Sequence, residues 1–193
     1  MQKCSALIFL FLLLSLLIVP QSTAGSLPSD RISVYFSRQD RNLEEVLVSL
    51  YQEVQQGGYI WIITSALTHP ALGHALVEAR KQGVDVKLIS DRGMLDTKRE
   101  QIAMYNLKAS GTLIKVNQFS GALRPEASIV DDRYLAVGSY DYGSTEICSP
   151  LRNRVDEQNL LIIPSGVDKL ILQRYKDQFQ RMWNDQKSYK MLE

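Results

Sequence analysis

The sequence predicts an α/β domain, a mixed β-sheet flanked by helices on both faces, and three observations carry that expectation. Between residues 32 and 116, short apolar runs alternate with segments of helical periodicity. Between 127 and 163 three more strand-like runs follow with no helix between them. An amphipathic stretch over 167–184 then closes the chain. Strand–helix alternation builds parallel strands joined by crossovers, whereas consecutive short strands pair antiparallel, so both kinds of ladder belong to one sheet.

Ile32–Phe36 is a short β-type run, and Asn42 with Glu45 three residues on predicts a capped helix start. Leu43, Val46, Leu47, Leu50, Tyr51 and Val54 recur at helical spacing, and Gly57-Gly58 ends the segment. Tyr59–Ile63 is continuously apolar, as in a strand buried on both faces. Pro70 suits the first turn of a second helix that runs to Lys81 and stops before Gly83. Val84–Ile89 is a second buried strand. Thr97–Ala109 reads as a third helix, followed by Gly111 and a strand over Thr112–Val116. Ala127–Val130, Tyr134–Val137 and Asn159–Ile163 are the helix-free strands. In the last helix Ser165 is the expected N-cap, with Asp168 three residues later. Val167, Leu170, Ile171, Tyr175, Met182 and Trp183 form its apolar stripe.

Ahead of this domain, Lys3 is followed by an apolar run over residues 6–19 and then by Ser22 and Ala24. A short positive region, an apolar stretch and a small-x-small site read as a signal peptide. The expected organisation is a signal peptide over 1–24 and one domain over 25–193, in a secreted or periplasmic protein. The alternative is a membrane anchor through residues 6–19, although that run is short of the roughly 20 residues a spanning helix needs. Cleavage after Ala24 would leave no stable membrane span. The chain has 22 basic and 21 acidic residues, and loss of Lys3 makes the two equal. A neutral domain lacks the broad positive field of a non-specific DNA binder, yet has room for a local basic pocket. With Cys4 removed, Cys148 has no intramolecular disulfide partner, leaving it buried and inert or free to link two chains.

The most telling stretch is 124–141, Arg-Pro-Glu-Ala-Ser-Ile-Val-Asp-Asp-Arg-Tyr-Leu-Ala-Val-Gly-Ser-Tyr-Asp. It contains a short apolar strand, an acidic turn, a second apolar strand and Gly138-Ser139 at the exit. The layout resembles the signature of the phospholipase D superfamily, His-x-Lys-x4-Asp followed by Gly-Ser-x-Asn. Asp131 falls at the motif's aspartate, Glu126 at its lysine and Arg124 at its histidine. Tyr59-Ile-Trp-Ile-Ile-Thr-Ser-Ala66, Ala79-Arg-Lys-Gln-Gly-Val-Asp-Val-Lys-Leu88 and Asn159-Leu-Leu-Ile-Ile163 extend the likeness. It covers nearly all of residues 25–193 and is similar to the small, single-motif secreted endonucleases of that superfamily.

The resemblance implies phosphodiester chemistry without metal or other cofactor, in a pocket that two identical chains complete. One histidine attacks phosphorus and the other protonates the leaving oxygen, while lysines and asparagines hold the phosphate. A homodimer and a phosphate-containing ligand, nucleic acid or phospholipid head group, are the implied partners. Carried over by position, the match is incomplete. Arg124 is a guanidinium that stays protonated and can neither attack nor shuttle a proton. Glu126 puts a carboxylate where phosphate would sit; a unit-charge pair at about 4 Å and an effective dielectric near 20 is worth about 4 kcal/mol, so reversing its sign is costly. Asp141 replaces the asparagine after Gly-Ser, and Gln158 stands before Asn159 where relatives carry glutamate. Asp131, Gly138, Ser139 and Asn159 survive.

The expected reading is therefore a domain with a degenerate site that binds or assembles rather than cleaves. The alternative is an active phosphodiesterase of the endonuclease or phospholipase type with a rearranged site. Ser139, Asp141, Gln158 and Asn159 are the candidate ligand-binding residues. Arg124 and Arg133 are candidates for holding an anion. His69 and His74, at the entry of the second helix, read as surface or helix-end residues. The acids Glu126, Asp131, Asp132, Asp141 and Glu157 match no metal-loop spacing, and no metal site is expected.

Overall fold

The computed structural model describes residues 30–40, 42–143 and 157–193. Residues 1–29, which hold the expected signal peptide and Cys4, and Cys148 lie outside them. The elements are β1 Ser33–Phe36, α1 Leu43–Gln52, β2 Tyr59–Thr64, α2 Pro70–Lys81, β3 Asp85–Ser90, a short 3-10 helix Arg92–Leu95 and α3 Lys98–Ala109. They continue with β4 Leu113–Asn117, β5 Ala127–Val130, β6 Tyr134–Gly138, β7 Asn159–Pro164, α4 Lys169–Asn184 and β8 Tyr189–Met191. Together the strands make one eight-stranded sheet in the order β1-β7-β6-β5-β2-β3-β4-β8.

The two halves of the sequence pattern become two kinds of pairing. β2, β3 and β4, each preceded or followed by a helix, run parallel. β5, β6 and β7, joined without helices, run antiparallel, and β5 meets β2 antiparallel at the seam. The expected mixed sheet with helices on both faces is what forms. Leu43, Leu47 and Leu50 of α1, Leu72 and Leu76 of α2, and Met104 and Leu107 of α3 pack on one face. Leu172, Phe179 and Met182 of α4 pack on the other. There Phe179 stacks on Trp61 at 5.1 Å and on Trp183 at 5.6 Å, contacts that add to the apolar burial.

Two caps differ from expectation. Asn42 does precede α1, but it is left-handed (φ 55°) and its side chain makes no cap hydrogen bond; asparagine tolerates that conformation, and its carbonyl, not its amide, receives the Glu45 N–H. Asp168, not Ser165, caps α4, accepting from Leu170 N and Ile171 N at 3.0 Å each. A carboxylate at that position meets both exposed amides and the positive helix end, so α4 begins at Lys169 rather than Val167. The 3-10 helix and β8 were not anticipated. The latter is three residues long and is held by pairing with β4, too brief to leave a periodic signal.

Register decides where the functional residues gather. Ile63 pairs with Ala127 and Ala127 with Val137, so the end of β2, the start of β5 and the exit of β6 lie side by side. The start of β7 joins them through the Gly138–Leu160 pairing. Loops at this end of the sheet carry Ser65, Glu126, Ser139 and Asn159.

Candidate functional site

Glu126 is the centre of that end. It stands one residue before β5, opposite Thr64, and its carboxylate is enclosed by donors. Ser65 N and Ser65 Oγ donate to Oε1 at 2.9 and 2.6 Å, and Thr64 Oγ1 donates to Oε2 at 2.5 Å. Burial pushes its pKa up, the Ser65 and Thr64 hydrogen bonds pull the other way, and the nearby Asp141 carboxylate adds to the rise. Thr64 is fully buried. Both carboxyl oxygens are thus already engaged in hydrogen bonds.

Arg124 is its opposite. The preceding Leu123 is buried and its N–H donates to Asp91 Oδ2 at 2.6 Å, which pins the backbone. The Arg124 side chain is exposed and makes no hydrogen bond or ion pair among the described residues. An exposed guanidinium with no partner among the described residues therefore lies two residues before an enclosed, hydrogen-bonded carboxyl.

Ser139 and Asn159 lock to each other. Ser139 N and Oγ donate to Asn159 Oδ1 at 2.9 and 3.2 Å, and Asn159 N donates to Ser139 Oγ at 3.0 Å. The strands come so close here that a Cβ on Gly138 would lie 2.2 Å from the Asn159 carbonyl oxygen, which explains the glycine on steric grounds alone. The lock consumes Asn159 Oδ1 and leaves its amide nitrogen as a donor. Asp141 closes the next turn by accepting from Gly143 N at 2.7 Å. Beneath these residues Ser128 Oγ bonds the hydroxyls of Tyr51 at 2.6 Å and Tyr142 at 3.0 Å. Burial holds both phenols protonated, so α1, β5 and the 140–143 segment share one buried polar floor.

Other predicted residues go elsewhere. Asp131 lies at the far end of β5, roughly 15 Å from Glu126 along a strand rising about 3.3 Å per residue. It takes a left-handed conformation (φ 52°) in the β5–β6 turn and accepts from Tyr59 N at 2.7 Å. A Cβ on Gly58 would meet its carboxylate at 2.6 Å. Asp131 is a turn-forming residue here, and it corrects the placement that the motif suggests. Arg133 is on the same remote turn, paired with Glu53 and Asp131 at 3.5 and 3.6 Å, so it cannot share an anion with Arg124. Gln158 ties β7 to β1: its N–H donates to Ser37 Oγ and its carbonyl accepts from Ser37 N, both at 2.9 Å. The acids are dispersed. Asp132 pairs with Lys176 and Tyr59, Glu157 reaches Arg38 at 3.9 Å, and among the described residues no group of three or more His, Cys, Asp or Glu could hold a metal ion.

His74 is exposed on α2. His69 is a helix-end residue, the N-cap of α2, and its N–H donates to the Tyr142 carbonyl at 3.0 Å. That contact brings it beside the 141–143 turn, with a buried Nδ1 that has no hydrogen-bond partner among the described residues. Thr64 and Ser65 are the site residues that sequence reasoning missed. Their only signal was a hydroxyl pair at the end of a buried strand, whose meaning depends on the antiparallel register with β5.

Comparison with known proteins bears on this geometry. A family model described as "Cardiolipin synthase, PLD-like domain" matches residues 50–183, well over half of the chain. The chain belongs to the phospholipase D superfamily. Its similarity to individual superfamily members is distant. It is 24% identical over 116 residues to a mitochondrial cardiolipin hydrolase of Xenopus tropicalis, covering 60% of this chain and 50% of that protein. It is 25% identical over 120 residues to the Mus musculus cardiolipin hydrolase, covering 62% and 49%. The chain thus spans about half the length of the curated relatives it matches. Among solved structures it is similar to Nuc, a phospholipase D family member from Salmonella typhimurium, with a TM-score of 0.69 at 19% identity over 84% of this chain and 97% of that one. NucT from Helicobacter pylori gives 0.62 at 17%, over 79% and 95%. The superfamily fold spans the domain, and among the described residues no helix is long and apolar enough to cross a membrane.

Proposed function

We propose that this chain is a non-catalytic phospholipase D-type domain that binds a phosphate-containing ligand without cleaving it. The observation that carries the reading is the environment of Glu126. Where the superfamily motif has a phosphate-holding lysine, this chain has a carboxyl sealed by Thr64 and Ser65. An anion is unfavourable there, and no proton-shuttling group stands at Arg124. Arg124 itself keeps an exposed guanidinium suited to a phosphate or carboxylate, and the free amide of Asn159 lies on the same end of the sheet. Binding tests this directly. Dimethyl phosphate, or a short oligonucleotide, should bind the wild type and lose binding in Arg124→Ala. Retention of full affinity in that variant removes Arg124 from the account.

The reading extends to assembly and location. Residues 1–24 act as a cleaved signal peptide, and the domain from Gly25 works as a secreted or periplasmic homodimer with the 124–141 regions facing each other. Arg124 of each copy offsets the acids Glu126 and Asp141 at that interface. N-terminal sequencing of envelope protein should begin at Gly25, and an intact Met1 in membranes would support the anchor instead. Light scattering should give a dimer at tens of micromolar (about the range in which a micromolar pair is formed); a monomer there removes the shared pocket.

One observation favours a second reading, an active phosphodiesterase. Ser65 Oγ is 2.6 Å from a carboxylate of raised pKa, the arrangement of an activated hydroxyl. Against it, Glu126 is also engaged by Thr64 and by Ser65 N. Activity that disappears in Ser65→Ala would select this reading.

A further inference from the structure

A separate cavity of about 360 Å³ is lined by residues of the 91–96 and 117–122 segments, at the low end of the range of roughly 300–1,000 Å³ typical of small-molecule sites. It opens at the carboxyl ends of β3 and β4, where α/β sheets commonly receive ligands. One wall is the 3-10 helix Arg92–Leu95 and the other is the segment 117–122. Two side chains brace the walls. Asn117, 1% exposed, accepts from Arg92 N at 2.6 Å and donates to the Gly121 carbonyl at 3.0 Å. Asp91 accepts from Gly93 N at 2.8 Å and Leu123 N at 2.6 Å. The two walls are therefore braced by Asn117 and Asp91.

The groups left for a ligand form a specific set. Arg92 offers a guanidinium whose only side-chain hydrogen bond among the described residues is a long one, 3.4 Å to Gln118 Oε1. Asp96 offers a carboxylate with no hydrogen bond or ion pair among the described residues. Arg92 and Asp96 do not pair with each other, although they share the cavity. Phe119 offers a ring that is 43% exposed and fixed edge-on by Tyr189 at 5.8 Å.

We infer that this cavity is a guanine-binding site. A flat base stacks on an exposed aromatic ring. Arginine donates in bidentate fashion to the O6 and N7 acceptors of guanine. A carboxylate accepts from the adjacent N1–H and N2–H donors, a pair that adenine and cytosine do not present. Arg92 only donates and Asp96 only accepts, so together they match both polar edges of guanine with two hydrogen bonds each, whereas adenine, cytosine and thymine present no adjacent donor pair to the carboxylate. The base arrives as a free nucleotide or within a single strand. This inference rests on the cavity and not on the fate of a phosphate at Arg124.

Titration calorimetry of the full domain with the 5′-monophosphates of guanosine, inosine, adenosine and cytidine tests the inference. It is paired with thymidine hexamers that carry one guanine or none. Guanosine monophosphate, or the guanine-bearing hexamer alone, should bind about tenfold or more tighter than its comparators, and inosine monophosphate, which lacks the N2 amine, should fall between. Preference in the monophosphates indicates a free nucleotide, and preference confined to the hexamers indicates a nucleic acid strand. Asp96→Asn, an exposed substitution that leaves the bracing residues intact, should erase the preference, while Asp132→Asn, on the remote β5–β6 turn, should leave it in place. Equal binding of all bases, no binding at millimolar concentration, or a preference that persists in Asp96→Asn would overturn the assignment.

Discussion

The two ends of the motif hairpin have met different constraints. At the Gly138–Asn159 end, the residues match the superfamily pattern, and each is held by backbone geometry. Gly138 has no room for a Cβ, and Ser139 and Asn159 satisfy each other. At the Arg124–Glu126 end, the pattern is gone, yet the local structure is equally well satisfied, because Thr64 and Ser65 supply a carboxylate with three donors. On the proposed reading the difference separates frame from chemistry: packing fixes the first, and the residues at 124 and 126 decide the second.

The largest effect should come from disturbing the frame. Gly138→Ala forces a methyl group into the Asn159 carbonyl and should cost about 3 kcal/mol in urea denaturation, at the upper end of overpacking penalties. A loss below 1 kcal/mol (about the cost of an ordinary surface change) would mean that β6 and β7 are not so tightly apposed.

Next comes the substituted end. Glu126→Lys removes the acceptor for Ser65 N and for two hydroxyls, and should destabilise by about 2 kcal/mol. An unchanged midpoint would show that the carboxylate is not the anchor of the β2–β5 seam.

A smaller effect separates charge from shape. Burial and Asp141 raise the Glu126 pKa in the folded state, so the folded chain binds this proton more readily than the unfolded one. The Glu126 contribution is then fully present below the unfolded carboxyl pKa and declines as pH rises through the folded value. Relative to Glu126→Gln, the wild type should lose melting temperature on going from mildly acidic to neutral pH. The reverse slope would mean that hydrogen bonding outweighs burial. The smallest effect is expected at Arg124, where Arg124→His should shift stability by no more than about 0.5 kcal/mol, measurable by the same denaturation.

Most of the fold was legible because it rests on long apolar runs and on their order. The Tyr59–Thr64 and Asp85–Ser90 strands, Pro70 at a helix start and the run of helix-free strands all leave local signals. Asn42 does start α1, though without a side-chain cap bond, whereas Ser165 misled because Asp168 offered a better acceptor for α4 at the position where the helix begins. The site was harder to read. The substitutions at Arg124 and Glu126 were visible, but the hydroxyl enclosure of Glu126 depends on strand register between segments 61 residues apart. The same is true of Asp131: its place in the motif suggests a site residue, whereas a four-residue strand carries it to the opposite end of the sheet.

The central claim, binding without cleavage, is tested most directly by hydrolysis of bis-p-nitrophenyl phosphate. The wild-type domain should show no turnover above background, and Arg124→His and Glu126→Lys should each remain inactive singly, because the first leaves an anion against phosphate and the second leaves no nucleophile. Turnover by the wild type that survives Arg124→Ala and Glu126→Ala, in preparations free of contaminating nuclease, would contradict the account and place the chemistry at another group, with Ser65 and His69 the first to be substituted.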